Sequence, residues 1–155
     1  MATDSVMVTS AIEAQEKQKV VTLDIPGAFL HALLDEEVVM ILCGILVDLM
    51  VAIDPELYGP YVIVSSKGEK IVYVHMNKAM YGLLCSALLF YQKLVQDLQE
   101  FGFTLNPCDP CVANKMVTGK QMTVTWHVDD LKVSHVDDFE ITKFICSSRR
   151  NMGTR

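Results

Sequence analysis

At 155 residues the chain has the length of one domain, or of a piece of something larger, and 51% apolar residues are enough for a buried core. A formal net charge of −6 argues against holding nucleic acid by bulk charge, since phosphate contacts are made by clustered Lys and Arg. The cysteines (Cys43, Cys85, Cys108, Cys111, Cys146) are scattered and odd in number, which speaks against a disulfide framework and for a reduced intracellular protein.

Taken in chain order, the polar start carries no secretory signal. Asp4 or Ser5 is expected to cap a helix reaching about Lys17, with Val6, Val8, Ala11 and Ile12 inward and Glu13, Gln15, Glu16 and Lys17 in solvent. Residues 20–24 read as a buried strand, followed by a turn marked by Pro26 and Gly27. Residues 36–42 suit a second strand ended by Gly44, residues 46–53 a short helix stopped at Asp54-Pro55, and residues 55–61 another brief helix. The apolar run from Val38 to Ile53 is shorter than the roughly 20 residues of a spanning helix, so strand followed by core helix is the better reading.

Residues 62–65 and 70–75 flank a Gly68-containing loop, a hairpin pattern. Leu84, Leu88, Tyr91, Leu94, Val95 and Leu98 recur at helical spacing and predict the longest helix over residues 81–100. Residues 112–117 and 121–127 form a second hairpin around Thr118-Gly119-Lys120, and residues 131–134 return as its next strand. Asp137 or Asp138 caps a last helix over residues 139–146, and residues 147–155 read as a frayed tail. Helices interleaved with antiparallel hairpins give an α+β fold. Cys108-Asp109-Pro110-Cys111 has C-x-x-C spacing but no second ligand pair for zinc, and reads as a loop entering a strand.

The most informative residues are His127-Val128-Asp129-Asp130, set between two β-rich runs, and Asp24 at the end of the first strand. Adjacent carboxylates repel, and a divalent cation between them relieves the repulsion. An oxygen-only ligand set suits Mg²⁺, which binds one or two carboxylates together with substrate phosphates. If the two strands lie side by side, three carboxylates meet in a layout fit for metal-assisted phosphoryl or nucleotidyl transfer. Taken alone, the doublet also suits a solvated turn and Asp24 a strand-end cap.

Several ordered blocks extend this pattern: Leu23-Asp24-Ile25-Pro26-Gly27-Ala28-Phe29-Leu30-His31-Ala32, Leu34-Asp35-Glu36-Glu37-Val38-Val39-Met40, Asn77-Lys78-Ala79-Met80-Tyr81-Gly82-Leu83 and Phe90-Tyr91-Gln92-Lys93-Leu94. Phe101-Gly102-Phe103, Asp109-Pro110-Cys111 and Val128-Asp129-Asp130 complete the series. In order and approximate spacing, from Lys19 to His135, it resembles the reverse transcriptase of copia-type retrotransposons. The resemblance implies a palm with a small antiparallel sheet backed by helices, partial fingers over residues 34–75 and no thumb. It also implies RNA-directed DNA polymerase activity with Mg²⁺ or Mn²⁺ on Asp24, Asp129 and Asp130, and Asp24 and Asp129 as the most sensitive positions.

By the same resemblance the Ile25, Gly27 and Ala28 backbone faces the triphosphate, Phe29 lies beside the incoming sugar, Tyr81 and Gly82 lie near the incoming nucleotide and template base, and Lys78 touches phosphate. Phe29 also suits an ordinary core position, and Lys78 a solvated loop. His127 replaces the Tyr that usually opens the catalytic box, and Leu84-Cys85-Ser86-Ala87-Leu88 stands where the family commonly has Lys-Gln-Ala-Pro-Arg. The implied partners are a primed RNA or DNA template, deoxynucleoside triphosphates and, in an intact element, integrase and RNase H of the same polyprotein, with no membrane. The implied location is intracellular: cytoplasmic virus-like particles or the nucleus. The other reading is a palm remnant that keeps the carboxylates but has little activity alone.

Overall fold

A computed structural model describes residues 1–152. The elements are α1 (Thr3–Glu16), β1 (Lys19–Asp24), β2 (Leu33–Cys43), α2 (Ile45–Ile53), α3 (Pro55–Tyr58), β3 (Ile63–Val64) and β4 (Lys70–Lys78). They continue with α4 (Ser86–Glu100), β5 (Thr104–Leu105), β6 (Val112–Val117), β7 (Lys120–His127), β8 (Asp130–His135) and α5 (Asp138–Met152). Short 3₁₀ turns cover Ala28–His31 and Gly59–Tyr61. The fold is α+β, with two antiparallel sheets. No helix among the described residues is long and apolar enough to cross a membrane.

The larger sheet has strand order β1-β8-β7-β6-β5. Its central strand β7 alternates Met122, Val124 and Trp126 with Thr123 and Thr125, and all five are buried. Successive side chains of a strand point to opposite faces, so one face is apolar and the other polar. On the apolar face Met122, Val124, Trp126, Leu131 and Val133 share one core with Phe90, Leu94 and Leu98 of α4 and Ile141 and Phe144 of α5. At about 25 cal/mol per Å² of apolar surface buried, this cluster is the main source of stability.

The smaller sheet, order β2-β4-β3, is built from residues 33–78 together with α2 and α3. Val47 and Val72 are buried, whereas Ile41, Ile45, Leu49, Ile53, Tyr61 and Tyr73 are exposed.

Three expectations need correction. The helix predicted from Tyr81 starts at Ser86, because Gly82 takes a φ of 100° and the Ser86 side chain turns back on Met80, donating to its carbonyl (2.6 Å) and accepting from its N–H (3.1 Å). At 15 residues this helix equals α5 rather than exceeding it. The last helix is itself longer than expected: Asp137 Oδ1 accepts from the Phe139 N–H (2.9 Å) and α5 runs on to Met152, into the segment read as frayed. Residues 153–155 lie outside the described residues.

The third correction concerns α1. Neither Asp4 nor Ser5 caps it; Ala2 holds the cap position with no side-chain bond of its own, and its N–H donates to Asp109 Oδ2 at 2.7 Å. Val8, Ala11 and Ile12 are exposed while Glu13 is buried. The helix lies on the polar face of the larger sheet, so its inward stripe is Val6, Thr9 and Glu13. Lys132 Nζ of β8 meets Glu13 Oε1 at 2.9 Å and Oε2 at 3.1 Å, and Thr9 Oγ1 at 3.4 Å. A sequence pattern that puts apolar residues inside fails where the surface to be covered is itself polar.

Candidate active site

The acidic residues are set by strand register. Asp24 ends β1 directly opposite Asp130, the first residue of β8, and Asp130 in turn faces His127, the last residue of β7. Directly opposed residues of antiparallel strands project to the same face. Asp24, Asp130 and His127 therefore form one row across three strands, one pleat beyond the row of Thr22, Lys132 and Thr125. All three are solvent-exposed. The hairpin between β7 and β8 is closed by Val128 and Asp129 alone, and the Ile25 N–H donates to the Asp129 carbonyl (3.2 Å), tying the chain after β1 to the turn.

Val128 takes a φ of 57°. A β-branched side chain is disfavoured in this left-handed region, and such strain costs on the order of 1–3 kcal/mol. The cost is met by the pairing on either side of the turn, which leaves Asp129 at the tip, one position beyond the Asp24–Asp130 pair.

Three aromatic rings support the tip from the side. The Tyr81 hydroxyl donates to Asp129 Oδ2 at 3.0 Å, its ring lies 4.3 Å from that of Phe29, and Phe29 meets Phe90 of α4 edge-on at 6.0 Å. The hydrogen bond to Asp129, then burial, then the charges of Asp129 and Asp24, hold the Tyr81 phenol above its ordinary pKa. At neutral pH the phenol therefore keeps its proton and donates a hydrogen bond to the carboxylate.

The other expected residues fall on either side of this centre. Gly27, with a φ of 61°, shapes the turn before Ala28 and Phe29, both of them buried. A Cβ at Gly27 would also crowd Leu30 Cδ1 at 3.3 Å. Phe29 thus sits in the core, with one ring contact to Tyr81 at the site. The Ile25 amide, expected to face a triphosphate, is already committed to Asp129. Gly82 is exposed in the turn after Tyr81. Lys78 closes β4 opposite Leu33, in the smaller sheet, and is not part of the acidic row.

The donor set is oxygen-rich and suits a hard divalent cation. Among the described residues, however, no three His, Cys, Asp or Glu side chains are gathered closely enough to hold a metal ion. One Asp129 oxygen, Oδ2, accepts from the Tyr81 hydroxyl.

Sequence reasoning missed three polar residues beside the row. Lys132 lies two residues past Asp130, so strand alternation alone places it on the acidic face. Its partner Glu13 was not legible, because the docking of α1 is tertiary. Thr125 is 1% exposed, its hydroxyl has no hydrogen-bond partner among the described residues, and it borders a cavity of about 370 Å³ lined also by Thr22, His127, Asp130 and Lys132. Asp109, singled out only as part of a block, is the anchor of the start of α1 and also accepts from the Cys111 N–H at 2.9 Å.

Comparison with curated proteins and with solved structures finds no match in either set. The family described as reverse transcriptase (RNA-dependent DNA polymerase) matches residues 1–151. That match includes α1, both sheets and the acidic hairpin, and on it the chain belongs to the reverse transcriptase family.

Proposed function

We propose that this domain is the palm-centred part of a copia-type reverse transcriptase, and that it adds deoxynucleotides to a primer 3′ end on an RNA template. The pairing of Asp24 with Asp130, with Asp129 next to Asp130 in the turn, supports this reading most. It brings an early acid to a late acidic doublet, and exposed carboxylates in one row serve no packing purpose. Asp24, Asp129 and Asp130 would hold Mg²⁺ or Mn²⁺. Bound there, the cation supplies Lewis acidity toward the primer hydroxyl and charge neutralisation for the triphosphate. The chain's own groups do the rest. Gly27 and Ala28 present backbone toward the triphosphate, Phe29 and Tyr81 wall the sugar side, and His127 flanks the primer end. Template, primer and deoxynucleoside triphosphates are the partners, with integrase and RNase H of the same polyprotein in an intact element. Such an element would act in cytoplasmic virus-like particles or in the nucleus.

A second reading, a folded palm with little activity of its own, is favoured by two observations. The carboxylates are not gathered into a cation site, and the net charge is −6. Primer extension on an RNA template with Mg²⁺ or Mn²⁺ separates the two. The polymerase reading expects extension that Asp24→Asn and Asp129→Asn each reduce by at least roughly a hundredfold, as loss of a metal-held transition-state contact does. No extension by the parent chain, with Mn²⁺ binding intact, selects the second reading. Mn²⁺ binding that is equal in the parent and both variants rejects the metal site itself.

A further inference from the structure

Among the described residues the half-buried lysines are Lys93, Lys115 and Lys132. A charge taken partly out of water is costly unless it is paired. Lys93 meets Asp97 and Lys132 meets Glu13. Lys115 pairs with no carboxylate among the described residues. Strand register explains its isolation: Lys115 of β6 stands directly opposite Met122 of β7, so its side chain projects onto the apolar face of the larger sheet. There Nζ donates to the Phe101 carbonyl at 2.6 Å and lies 5.8 Å from the centre of the Phe103 ring. A carbonyl oxygen and a ring face attract the ammonium without neutralising it, and the group has further N–H donors to give.

This cation borders a cavity of about 220 Å³ between the β6–β7 hairpin and α5. Phe101, Phe103, Phe144 and Met122 form its apolar wall, and Phe144 meets the other two rings edge-on at 5.7 and 5.3 Å. The space exceeds the roughly 150 Å³ of an apolar cavity that takes up benzene. Lys143 of α5 lines the same cavity, but it is exposed and faces Glu140 at 3.5 Å, so those two charges offset one another. What remains for a ligand is aromatic surface and one positive charge. The acidic row is at the other end of the sheet: Met122 comes five residues before His127 on β7, roughly 17 Å along the strand.

We propose that this cavity binds a small aromatic monocarboxylate. The ring packs among Phe103, Phe144 and Met122, and the carboxylate accepts from Lys115 Nζ. A charge-assisted bond of this kind gains strength where water is partly excluded. A neutral ring would leave the ammonium unpaired. A dianionic phosphate would bring a second charge for which only Lys143, already committed to Glu140, is at hand. The site shares no residue with Asp24, Asp129 and Asp130, so its failure leaves the polymerase reading untouched.

The probes are para-fluorobenzoate and its uncharged counterpart para-fluorobenzamide, each titrated into the whole chain carrying methyl-labelled methionine and followed by NMR. The benzoate is expected to shift the Met122 methyl signal saturably and to bind at least roughly fivefold more tightly than the amide, the fold-change of one partly solvated charge-assisted bond. Lys115→Met keeps the apolar stem and removes the charge, and it should bring the benzoate to the affinity of the amide. Equal binding of the two probes by the parent chain, no saturable Met122 shift, or a preference for benzoate that survives in Lys115→Met overturns the inference. The comparison of the two probes on the parent chain decides the matter even if Lys115→Met fails to fold.

Discussion

The two faces of the larger sheet differ in what covers them and in what they contribute. Leu131 and Val133 of β8 point into the core beneath α4 and α5, while Asp130, Lys132 and Ser134 of the same strand point to the side of α1. The apolar face needs only the right volume and shape in its cover. The polar face needs matching groups, and α1 supplies them with Glu13 and Thr9 on Lys132, while Asp109 holds its start. One strand thus carries a stability surface and a chemical surface one residue apart. Carboxylates at its end can project into solvent because their neighbours along that face are polar too.

The contrast can be broken most severely on the apolar side. Leu131 is 1% exposed, and Leu131→Ala should lower unfolding free energy by about 2–5 kcal/mol, the range for a truncated core leucine that leaves a cavity. Urea denaturation measures it, and a loss under about 1 kcal/mol would mean the core is far looser than described.

On the polar side the larger effect belongs to Asp109. The Ser5 side chain and then the Ala2 and Cys111 N–H groups hold its carboxyl below the usual 3.8, against the opposing effect of burial. A depressed carboxylate pKa contributes stability that is present above the unfolded value and lost as pH falls through the folded one. Asp109→Asn should therefore destabilise by about 1–2 kcal/mol at neutral pH, where a charged acceptor is lost. The gap to the parent should close as pH is taken below 3.8. A gap independent of pH in acid unfolding would show that the carboxylate charge is not what anchors α1.

The smallest effect sharpens the comparison. Because the Thr125 hydroxyl is buried without a partner among the described residues, Thr125→Val should leave stability unchanged or raise it by up to about 1 kcal/mol. A fall of more than 1 kcal/mol in the same denaturation experiment would mean that water in the adjoining cavity satisfies that oxygen.

Much of the architecture was legible. The strands at residues 20–24, 112–117, 121–127 and 131–134 stand within a residue or two of their expected ends, because alternation and Gly-containing turns are local signals. Errors arose where a distant group decided the outcome. The start of α4 depended on Ser86 bonding back to Met80, and the inward stripe of α1 on Lys132, more than a hundred residues away. Of the site, the acids were visible as a doublet and a lone strand-end residue. The commitment of the Ile25 amide and the contact of Tyr81 with Asp129 were not, since neither follows from spacing.

The sequence alone determined which residues alternate, where the turns fall, and that one early carboxylate ends a strand and two late ones stand at a hairpin tip, because these depend on neighbours a few bonds away. Tertiary structure decided that β1 pairs with β8 in the register that sets Asp24 opposite Asp130, that α1 covers a polar face, and that Tyr81 holds Asp129. Those outcomes rest on burial and pairing between segments far apart in the chain, where a one-residue slip would turn every side chain of a strand to the other face.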